Sequence, residues 1–169
     1  MTAGLTENDD CDDGFEVTCC AVGDLSQPEL AACIRIVIAG GAVSPESVKR
    51  DLPRSSAIAI ARRDGQIVGV GTIKPVRPAY ALGVGKKSGM SFRSEAPELG
   101  YVAVHGDHRR KGLSHRLLKT LPTGEHQMLF ATTSSEAMKK TLAKAGFAQK
   151  GKSWSGRNGD QLSLWIRGS

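Results

Sequence analysis

The residues best suited to chemistry lie where a strand runs into a basic turn and then directly into a helix. Residues 99–104 are predicted as a buried strand, residues 105–111 as a polar turn, and Gly112 as the start of a helix. The first N–H groups of a helix have no partner within it and carry partial positive charge, so they form an anion site. The turn adds three basic side chains, those of Arg109, Arg110 and Lys111. Because Gly112 and Ser114 are small, the pattern favours a pyrophosphate held close to the backbone, and the alternative is a solvated basic surface.

The same stretch resembles the signature of the GNAT superfamily of acetyl-CoA-dependent N-acetyltransferases. That signature is (Gln/Arg)-x-x-Gly-x-(Gly/Ala), and it follows a strand that ends Val-x-Val. Here the signature reads Arg-Arg-Lys-Gly-Leu-Ser, with Ser114 in place of Gly or Ala. The resemblance implies that backbone amides of the turn hold the pyrophosphate of acetyl-CoA, while the strand's edge pairs with the pantetheine arm as an added strand would. The residues to which it assigns cofactor binding are Val102, Ala103, Val104, Arg109, Arg110, Lys111, Gly112, Leu113 and Ser114.

The resemblance covers residues 57–147 and includes the ending Lys-Ala-Gly-Phe, which is similar to the family's Lys-x-Gly-Phe. Besides Ser114, two further positions depart from the family pattern. Many members carry a tyrosine four residues before that glycine as general acid toward the leaving thiolate, and here the residue is Leu142. The asparagine common near the start of the same helix is Ser135, to which the resemblance assigns cofactor binding. The candidates left for the acid are Tyr101, Ser134, Ser135 and water.

A proton acceptor is needed because amines are mostly protonated near neutral pH, whereas the attacking amine must be neutral. Glu98 lies at the start of the strand that would hold the cofactor. Several family members place a catalytic glutamate on that strand, so the resemblance implies that Glu98 is the general base. The alternative is an ordinary carboxylate at a strand end. His105, just after the strand, is a second candidate, with a solvated turn histidine as its alternative.

The elements that position these residues follow the order β-α-α-β-β, a long loop, then β-α-β-α-β-β. Ser26 and Glu29 form a capping box before the first helix, and Asp64-Gly65 between two apolar runs predicts a tight hairpin. The fold class is therefore α/β: a single-domain mixed, mostly antiparallel sheet of six to seven strands with about four helices. Two strands are expected to separate near Val104 and leave a slot for the cofactor arm.

Residues 75–97 are predicted as a long loop, because they hold three prolines, three glycines and no clear period. The segment's basic residues outnumber its single acid, Glu95, and it also carries Tyr80 and Phe92. Its end must lie beside Glu98, so it is expected to set acceptor choice. The basic residues of this loop would form a rim around the acceptor site. Such a rim favours an anionic or aromatic acceptor over a polycation. The alternative is a variable surface loop.

The overall composition and charge limit the domain organisation, the ligand class and the location of the protein. Residues 1–14 are predicted as a disordered acidic tail and residues 15–169 as one GNAT-like acyltransferase domain. The net charge of +6 suits an anionic ligand such as a nucleotide-bearing cofactor, and it also suits a nucleic acid. No apolar run predicts a membrane span or a signal peptide, so the expected location is the cytoplasm. The four cysteines form no metal-ligand spacing, so no metal is expected.

These observations predict an acyl-CoA-dependent N-acyltransferase that moves an acetyl group from acetyl-CoA to an amine. They leave the acceptor open among small molecules, proteins and nucleic acids, and they leave the oligomeric state open. The absence of the usual tyrosine supports an alternative, a non-catalytic GNAT-like module that binds acyl-CoA or another protein.

Overall fold

The computed structural model describes residues 14–41, 43–122 and 127–168, which form one seven-stranded sheet with helices on both faces. The predicted tail, apart from Gly14, lies outside the described residues. The strands are β1 (Phe15–Cys20), β2 (Ala57–Arg63), β3 (Gln66–Lys74), β4 (Glu98–Val104), β5 (Leu129–Thr133), β6 (Ala148–Ser155) and β7 (Gln161–Arg167). The helices are α1 (Gln27–Ala39), α2 (Pro45–Asp51), α3 (Pro78–Ser88), α4 (Leu113–Thr120) and α5 (Glu136–Lys144).

The strand order across the sheet is β1-β2-β3-β4-β5-β7-β6. Every neighbouring pair is antiparallel except β4 and β5, which run parallel at the centre. The predicted fold class, a mixed and mostly antiparallel sheet in one domain, is therefore confirmed. Within the described part of the chain, no helix has both the length and the apolar character needed to cross a membrane.

Local sequence signals explain where several elements begin and turn. The Ser26 hydroxyl accepts from the Glu29 N–H at 3.3 Å, and the Glu29 carboxylate accepts from the Ser26 N–H at 3.0 Å, so the predicted capping box is confirmed. Between β2 and β3, Asp64 and Gly65 have φ angles of 50° and 76°. Positive φ at both central residues is what a two-residue type I′ hairpin requires, so the predicted tight turn is confirmed as well.

The prediction of a structureless loop over residues 75–97 is wrong, because α3 occupies the first half of that segment. Pro78 starts the helix, where its missing N–H costs nothing, and Gly89 ends it with a φ of 73°. The buried side chains Ala81 and Val84 pack with Phe130 of β5 and Leu164 of β7. The helix has weak intrinsic propensity, so tertiary packing against the sheet stabilises it.

The sheet separates two layers of helices, and alternate residues of each strand face opposite layers. Leu129 and Ala131 of β5 belong to the core under α4 and α5. Phe130, between them, belongs to the core under α3. Because Glu98 is in register with Phe130, its side chain lies on the same side of the sheet as α3. Tyr101 packs there with α1 and α2, so we call this side the α1–α3 face.

Candidate active site

Strand β4 has an irregularity that opens the centre of the sheet. In the register with β3, Ala103 pairs with Val70 and Gly100 with Thr72, so two β4 residues lie opposite one β3 residue. This is a β-bulge, and Tyr101, at its start, has a φ of 47°. The Thr72 hydroxyl donates a 2.6 Å hydrogen bond to the Gly100 carbonyl and secures the bulge from the β3 side. A bulge bends its strand, and the pairing of β4 with its other neighbour, β5, is limited to the start of the strand.

The separation of β4 from β5 begins immediately after Glu98. Within the described residues the two strands are in register at a single pair, Glu98 and Phe130, where the Phe130 N–H donates to the Pro97 carbonyl at 3.2 Å. From the sequence, separation of the strands is expected near Val104. In the described structure the register instead ends directly after Glu98, so the β4 edge over residues 99–104 has no registered partner on β5, and we call this unpaired stretch the gap. Glu98 lies at the closed end of the gap and Val104 at its open end, roughly 20 Å apart along the strand.

The basic turn follows at the open end of this gap. The His105 N–H donates to the Val68 carbonyl at 2.7 Å, and a short 3-10 turn follows over residues 106–108. Arg110 and Gly112 then have φ angles of 64° and 74°. Left-handed residues in a turn allow successive N–H groups to converge on one side, which is the conformation that binds anions. Gly112 is also the N-cap of α4, so the helix begins directly at the turn.

The predicted cofactor residues fall into distinct environments. Val102, Ala103 and Val104 are half-buried on the open edge of β4, while the segment from Arg109 to Gly112 is exposed in the turn. Leu113 is only 1% exposed and anchors the start of α4 in the core, so only its backbone is available to a ligand. Ser114, in the first turn of α4, is half-buried. Ser135 lies elsewhere, at the start of α5, where its hydroxyl accepts from the Met138 N–H at 3.2 Å as a helix cap.

Strand β1 supports the basic turn through Phe15, a contact that sequence reasoning missed. The Phe15 ring meets the His108 ring edge-on at 5.4 Å, and the Lys111 ammonium lies 5.5 Å from the ring centroid. The Phe15 carbonyl accepts from the Arg116 guanidinium at 3.2 Å. The turn is therefore fixed by an aromatic side chain more than ninety residues away in the chain, and no local pattern indicates this pairing.

A cleft of about 520 Å³ opens between α1 and the end of β4. Its lining includes the apolar residues Ile36, Ile67 and Val104 and the two basic residues Arg35 and Arg109. Helix α1 thus contributes a surface beside the end of β4, which its sequence pattern does not indicate. An apolar wall with cationic groups beside it suits a ligand that carries both a flexible arm and an anion.

At the closed end of the gap, Glu98 is buried between two cations. Its carboxylate accepts a 2.7 Å hydrogen bond from Arg77, and the Lys74 ammonium lies 3.7 Å away. The Lys74 ammonium also lies 4.1 Å from the Tyr101 ring centroid. Burial lowers the pKa of Lys74, although the charge of Glu98 opposes this shift. We call Lys74, Arg77, Glu98 and Tyr101 the Glu98 cluster.

Two features of the sequence explain how the Glu98 cluster forms. Lys74 ends β3 and is registered directly with Glu98 at the start of β4, so the two side chains lie side by side. Gly100 leaves room for the lysine, because a Cβ at that position would collide with the Lys74 side chain. Arg77, just before α3, contributes the second cation. Glu98 and Gly100 are visible in the sequence, but their pairing with Lys74 and the position of Arg77 depend on the segment between the two strands, which the sequence predicted as a loop.

The candidates for a general acid also have clear positions. Leu142 is 1% exposed in the core under α4 and α5, so it fills space and has no proton to give. Tyr101 packs in the core with α1 and α2, and burial raises its pKa. Ser135 caps its helix, and Ser134 is exposed just before that cap.

Solved structures with the same fold include three that cover nearly the whole chain. A chain of the NatC complex bound to Gag peptide and CoA has a TM-score of 0.66 at 15% identity, over 92% of this chain and 98% of that one. A GNAT family acetyltransferase from Streptococcus agalactiae has a TM-score of 0.65 at 13% identity, over 93% and 96%. A GNAT family acetyltransferase from Elizabethkingia anophelis with acetyl-CoA bound has a TM-score of 0.57 at 16% identity, over 93% and 99%.

Sequence comparison gives the family independently of the fold. Among curated protein sequences, none is close enough to this chain to count as a match. The profile of the acetyltransferase (GNAT) family, in contrast, matches residues 35–147. That range is well over half of the chain, and it includes the open β4 edge, the basic turn and the Glu98 cluster. The chain therefore belongs to the acetyltransferase (GNAT) family.

Proposed function

We propose that this protein transfers the acetyl group of acetyl-CoA to the nitrogen of an amine. The observation that carries the proposal is the open edge of β4, which begins beside a buried carboxylate and ends in the basic turn. An extended ligand with an anionic group at one end and a reactive group at the other fits this arrangement. The acetyl-CoA bound to the Elizabethkingia anophelis relative supports the choice of ligand.

The residues of the basic turn would hold the anionic end of acetyl-CoA. Backbone N–H groups of Gly112, Leu113 and Ser114 are free of helical partners and would face the pyrophosphate, with Arg109, Arg110 and Lys111 adding positive charge. Along residues 102–104 the open β4 edge would pair with the amide groups of the arm, as an added strand does. Ser135, with its hydroxyl already engaged as a cap, would contribute through its position at the start of α5.

Glu98 would accept the proton of the attacking amine, directly or through one water molecule. The amine nitrogen would form a bond to the thioester carbonyl carbon while the carbon–sulfur bond breaks. A backbone N–H of the open β4 edge would stabilise the negative charge on the carbonyl oxygen. Most of the rate enhancement would come from holding the amine and the thioester together in the gap.

The acceptor would approach from the α1–α3 face, where the Glu98 cluster lies. Arg77 and Lys74 carry two positive charges against the single charge of Glu98. In the part of the chain that the structure describes, the buried Nε of Arg77 has no hydrogen-bond partner. These features favour an amine that carries an anionic group, and they disfavour a polyamine. The peptide bound to the NatC complex and the basic character of this chain keep a protein or nucleic acid among the acceptors.

A second candidate is a non-catalytic module that binds acyl-CoA. It is favoured by one observation, the buried Leu142 at the position where many family members have a catalytic tyrosine. Turnover separates the two candidates, because a binding module would bind acetyl-CoA without releasing free thiol in the presence of an amine.

The test is a thiol-release assay with acetyl-CoA across amine classes: amino acids, their amides, peptides, polyamines, aminoglycosides and nucleosides. We expect release with at least one amine, and a higher kcat/KM for amines with a carboxylate than for their matched amides. Acetyl-CoA that binds with no thiol release for any class would favour the binding module. Spermine as the best acceptor would contradict the anionic class.

A further inference from the structure

Tyr80 extends from α3 to the closed end of the gap between β4 and β5. Its hydroxyl lies 3.1 Å from the hydroxyl of Thr132, which is two residues beyond Phe130, the last point where β5 is in register with β4. Its ring stacks on Phe130 with 6.3 Å between centroids and 28° between planes. The phenol group is therefore held beside the point where the two strands begin to diverge.

The same side chain is coupled to the Glu98 cluster. The Arg77 guanidinium lies 4.3 Å from the centroid of the Tyr80 ring and also donates to Glu98 at 2.7 Å. Burial and the charge of Glu98 raise the pKa of Tyr80, against the opposing effects of Thr132 and Arg77. The hydroxyl therefore keeps its proton at neutral pH, and the nearby guanidinium can stabilise the phenolate that forms when the proton is given away.

Two other candidates for the general acid, Ser135 and Tyr101, have different surroundings. Ser135 caps α5. The chain has only two tyrosines, and Tyr101 packs in the core with α1 and α2 while the Lys74 ammonium lies 4.1 Å from its ring centroid. Tyr80, in contrast, keeps its proton at neutral pH and lies at the closed end of the gap.

We infer that Tyr80 is the general acid of the proposed reaction and gives its hydroxyl proton to the departing sulfur of coenzyme A. This inference rests on the proposed function. As the amine nitrogen bonds to the carbonyl carbon, the carbon–sulfur bond breaks and its electron pair goes to sulfur, which takes the Tyr80 proton and leaves as a free thiol. The amine's proton passes to Glu98, and solvent then returns one proton from Glu98 to Tyr80. The role that many family members give to a tyrosine on α5 is thereby supplied from α3.

The test is Tyr80→Phe, which keeps the ring against Phe130 and removes one oxygen atom. The measurement is the single-turnover rate of acetyl transfer, with the KM of both substrates and the melting temperature recorded for the same preparation. We expect the rate to fall by about 100-fold, at the lower end of what general acid catalysis contributes. We expect both KM values to stay within about threefold, because the hydroxyl acts in the transition state. The solvent deuterium isotope effect of the transfer step should decrease.

Two further variants separate proton donation from a structural role. A ring-fluorinated tyrosine at position 80 has nearly the same shape and a more acidic hydroxyl. If Tyr80 must be protonated, the single-turnover rate declines at high pH, and this decline should begin at a lower pH in the fluorinated protein than in the parent. Thr18→Val removes a hydroxyl on the edge strand β1, where it accepts from Arg62, and this control should retain the isotope effect. Either an unchanged single-turnover rate in Tyr80→Phe or an unshifted decline in the fluorinated protein would overturn the inference.

The outcomes also distinguish this inference from the proposed function. If the parent protein transfers acetyl groups and Tyr80→Phe does so equally fast, only the role of Tyr80 is overturned. If the parent binds acetyl-CoA and releases no thiol with any amine, the proposed function fails and the role of Tyr80 fails with it. If Tyr80→Phe raises the KM of the acceptor and leaves the transfer rate unchanged, then Tyr80 binds the acceptor and does not donate the proton, and the inference is overturned.

Discussion

At the scale of single residues, Glu98 combines burial with charge in a way that a strand-end carboxylate rarely does. Its side chain is 6% exposed, and the guanidinium of Arg77 and the ammonium of Lys74 lie beside it. A buried charge is tolerated when it is paired and hydrogen-bonded, so these contacts would hold the carboxylate whether or not it takes part in chemistry. A kinetic measurement separates a proton acceptor from an ion-pair partner.

We predict that Glu98→Gln lowers kcat by about 10-fold or more and leaves the affinity for acetyl-CoA within about threefold. The amide keeps a carbonyl oxygen for Arg77 and cannot accept a proton from the amine. The loss should be largest at low pH, where most of the amine is protonated. The measurement is thiol release from about pH 6 to about pH 9.

The matched control is Glu95→Gln, the same change at an exposed carboxylate three residues earlier. It should behave as the parent at every pH. Equal turnover for Glu98→Gln and the parent across this range would show that Glu98 only neutralises Arg77 and Lys74.

At the scale of elements, α3 separates the basic residues of the segment 75–97 into two groups. The sequence predicted this segment as one loop, with its basic residues along a single rim. Arg77 and Tyr80 lie at the end of the helix that meets Glu98. Lys86 and Lys87 are exposed in its last turn, roughly 14 Å from Arg77 along the axis. That distance exceeds the Debye length at physiological salt, so these lysines are largely screened from the site.

We predict that the double change Lys86→Glu and Lys87→Glu leaves the acceptor KM within about twofold and lowers the free energy of unfolding by about 0.5–1 kcal/mol. The cost arises because acidic residues replace basic ones at the negative end of the helix dipole. Arg77→Gln, in contrast, should raise the KM of an anionic acceptor by about 10-fold or more, since it removes a half-buried cation beside Glu98. The measurements are steady-state kinetics and urea denaturation. A larger effect on KM from the lysines than from Arg77 would restore the rim interpretation.

Helix α1 carries a buried thiol with a measurable pH signature. Cys33 is 0% exposed, and burial raises its pKa from 9.0 to about 11. Between those pH values the unfolded chain gives up the Cys33 proton and the folded chain keeps it. The unfolded state then binds fewer protons, so the free energy of unfolding decreases as the pH rises through this window.

We predict that Cys33→Ala lowers the free energy of unfolding by about 1 kcal/mol at neutral pH. Between about pH 9 and about pH 11, the free energy of unfolding of this variant should decline less steeply than that of the parent. The difference in slope should be at most about 1.4 kcal/mol per pH unit. Urea denaturation at several pH values measures it, with Cys20→Ala on β1 as the partly exposed control. Identical slopes for Cys33→Ala and the parent would contradict the prediction.

At the scale of the whole molecule, ligand binding couples to unfolding because the turn, the open β4 edge and α1 exist together only in the folded state. A ligand present at about 100 times its Kd stabilises the folded state by about 2.7 kcal/mol. For a domain of this size we therefore predict that acetyl-CoA raises the melting temperature by roughly 5–10 °C. The rise should shrink at high salt, because the exposed basic turn is screened.

Gly112→Glu should abolish this rise, and Gly112→Gln should retain part of it. Both substitutions strain the backbone equally, since φ is 74° at that position, and a Cβ there meets no atom within 4 Å. They differ only in the negative charge placed beside the pyrophosphate. Thermal melting with and without acetyl-CoA measures both variants. A parent protein that shows no shift with millimolar acetyl-CoA, or variants that respond equally, would contradict an anion site in the turn.

The sequence by itself determined the features that depend on neighbouring residues. The capping box of α1, the Asp64-Gly65 turn and the strand–turn–helix unit around Gly112 follow from backbone preferences and from hydrogen bonds three or four residues apart. The family signature adds to this because its residues are consecutive, so the basic turn before α4 and the fold class were predictable. Glu98 could be named as a candidate for the same reason.

Tertiary structure alone decided the features that depend on distant contacts. Helix α3 has weak propensity and exists because Ala81 and Val84 pack on β5 and β7, which follow it by tens of residues. That packing places Tyr80 beside Thr132. The pairing of β3 with β4 shifts at the bulge, and this shift opens the gap that would admit acetyl-CoA. Such arrangements arise from register and burial across the sheet, and a pattern of neighbouring residues does not specify which distant elements meet.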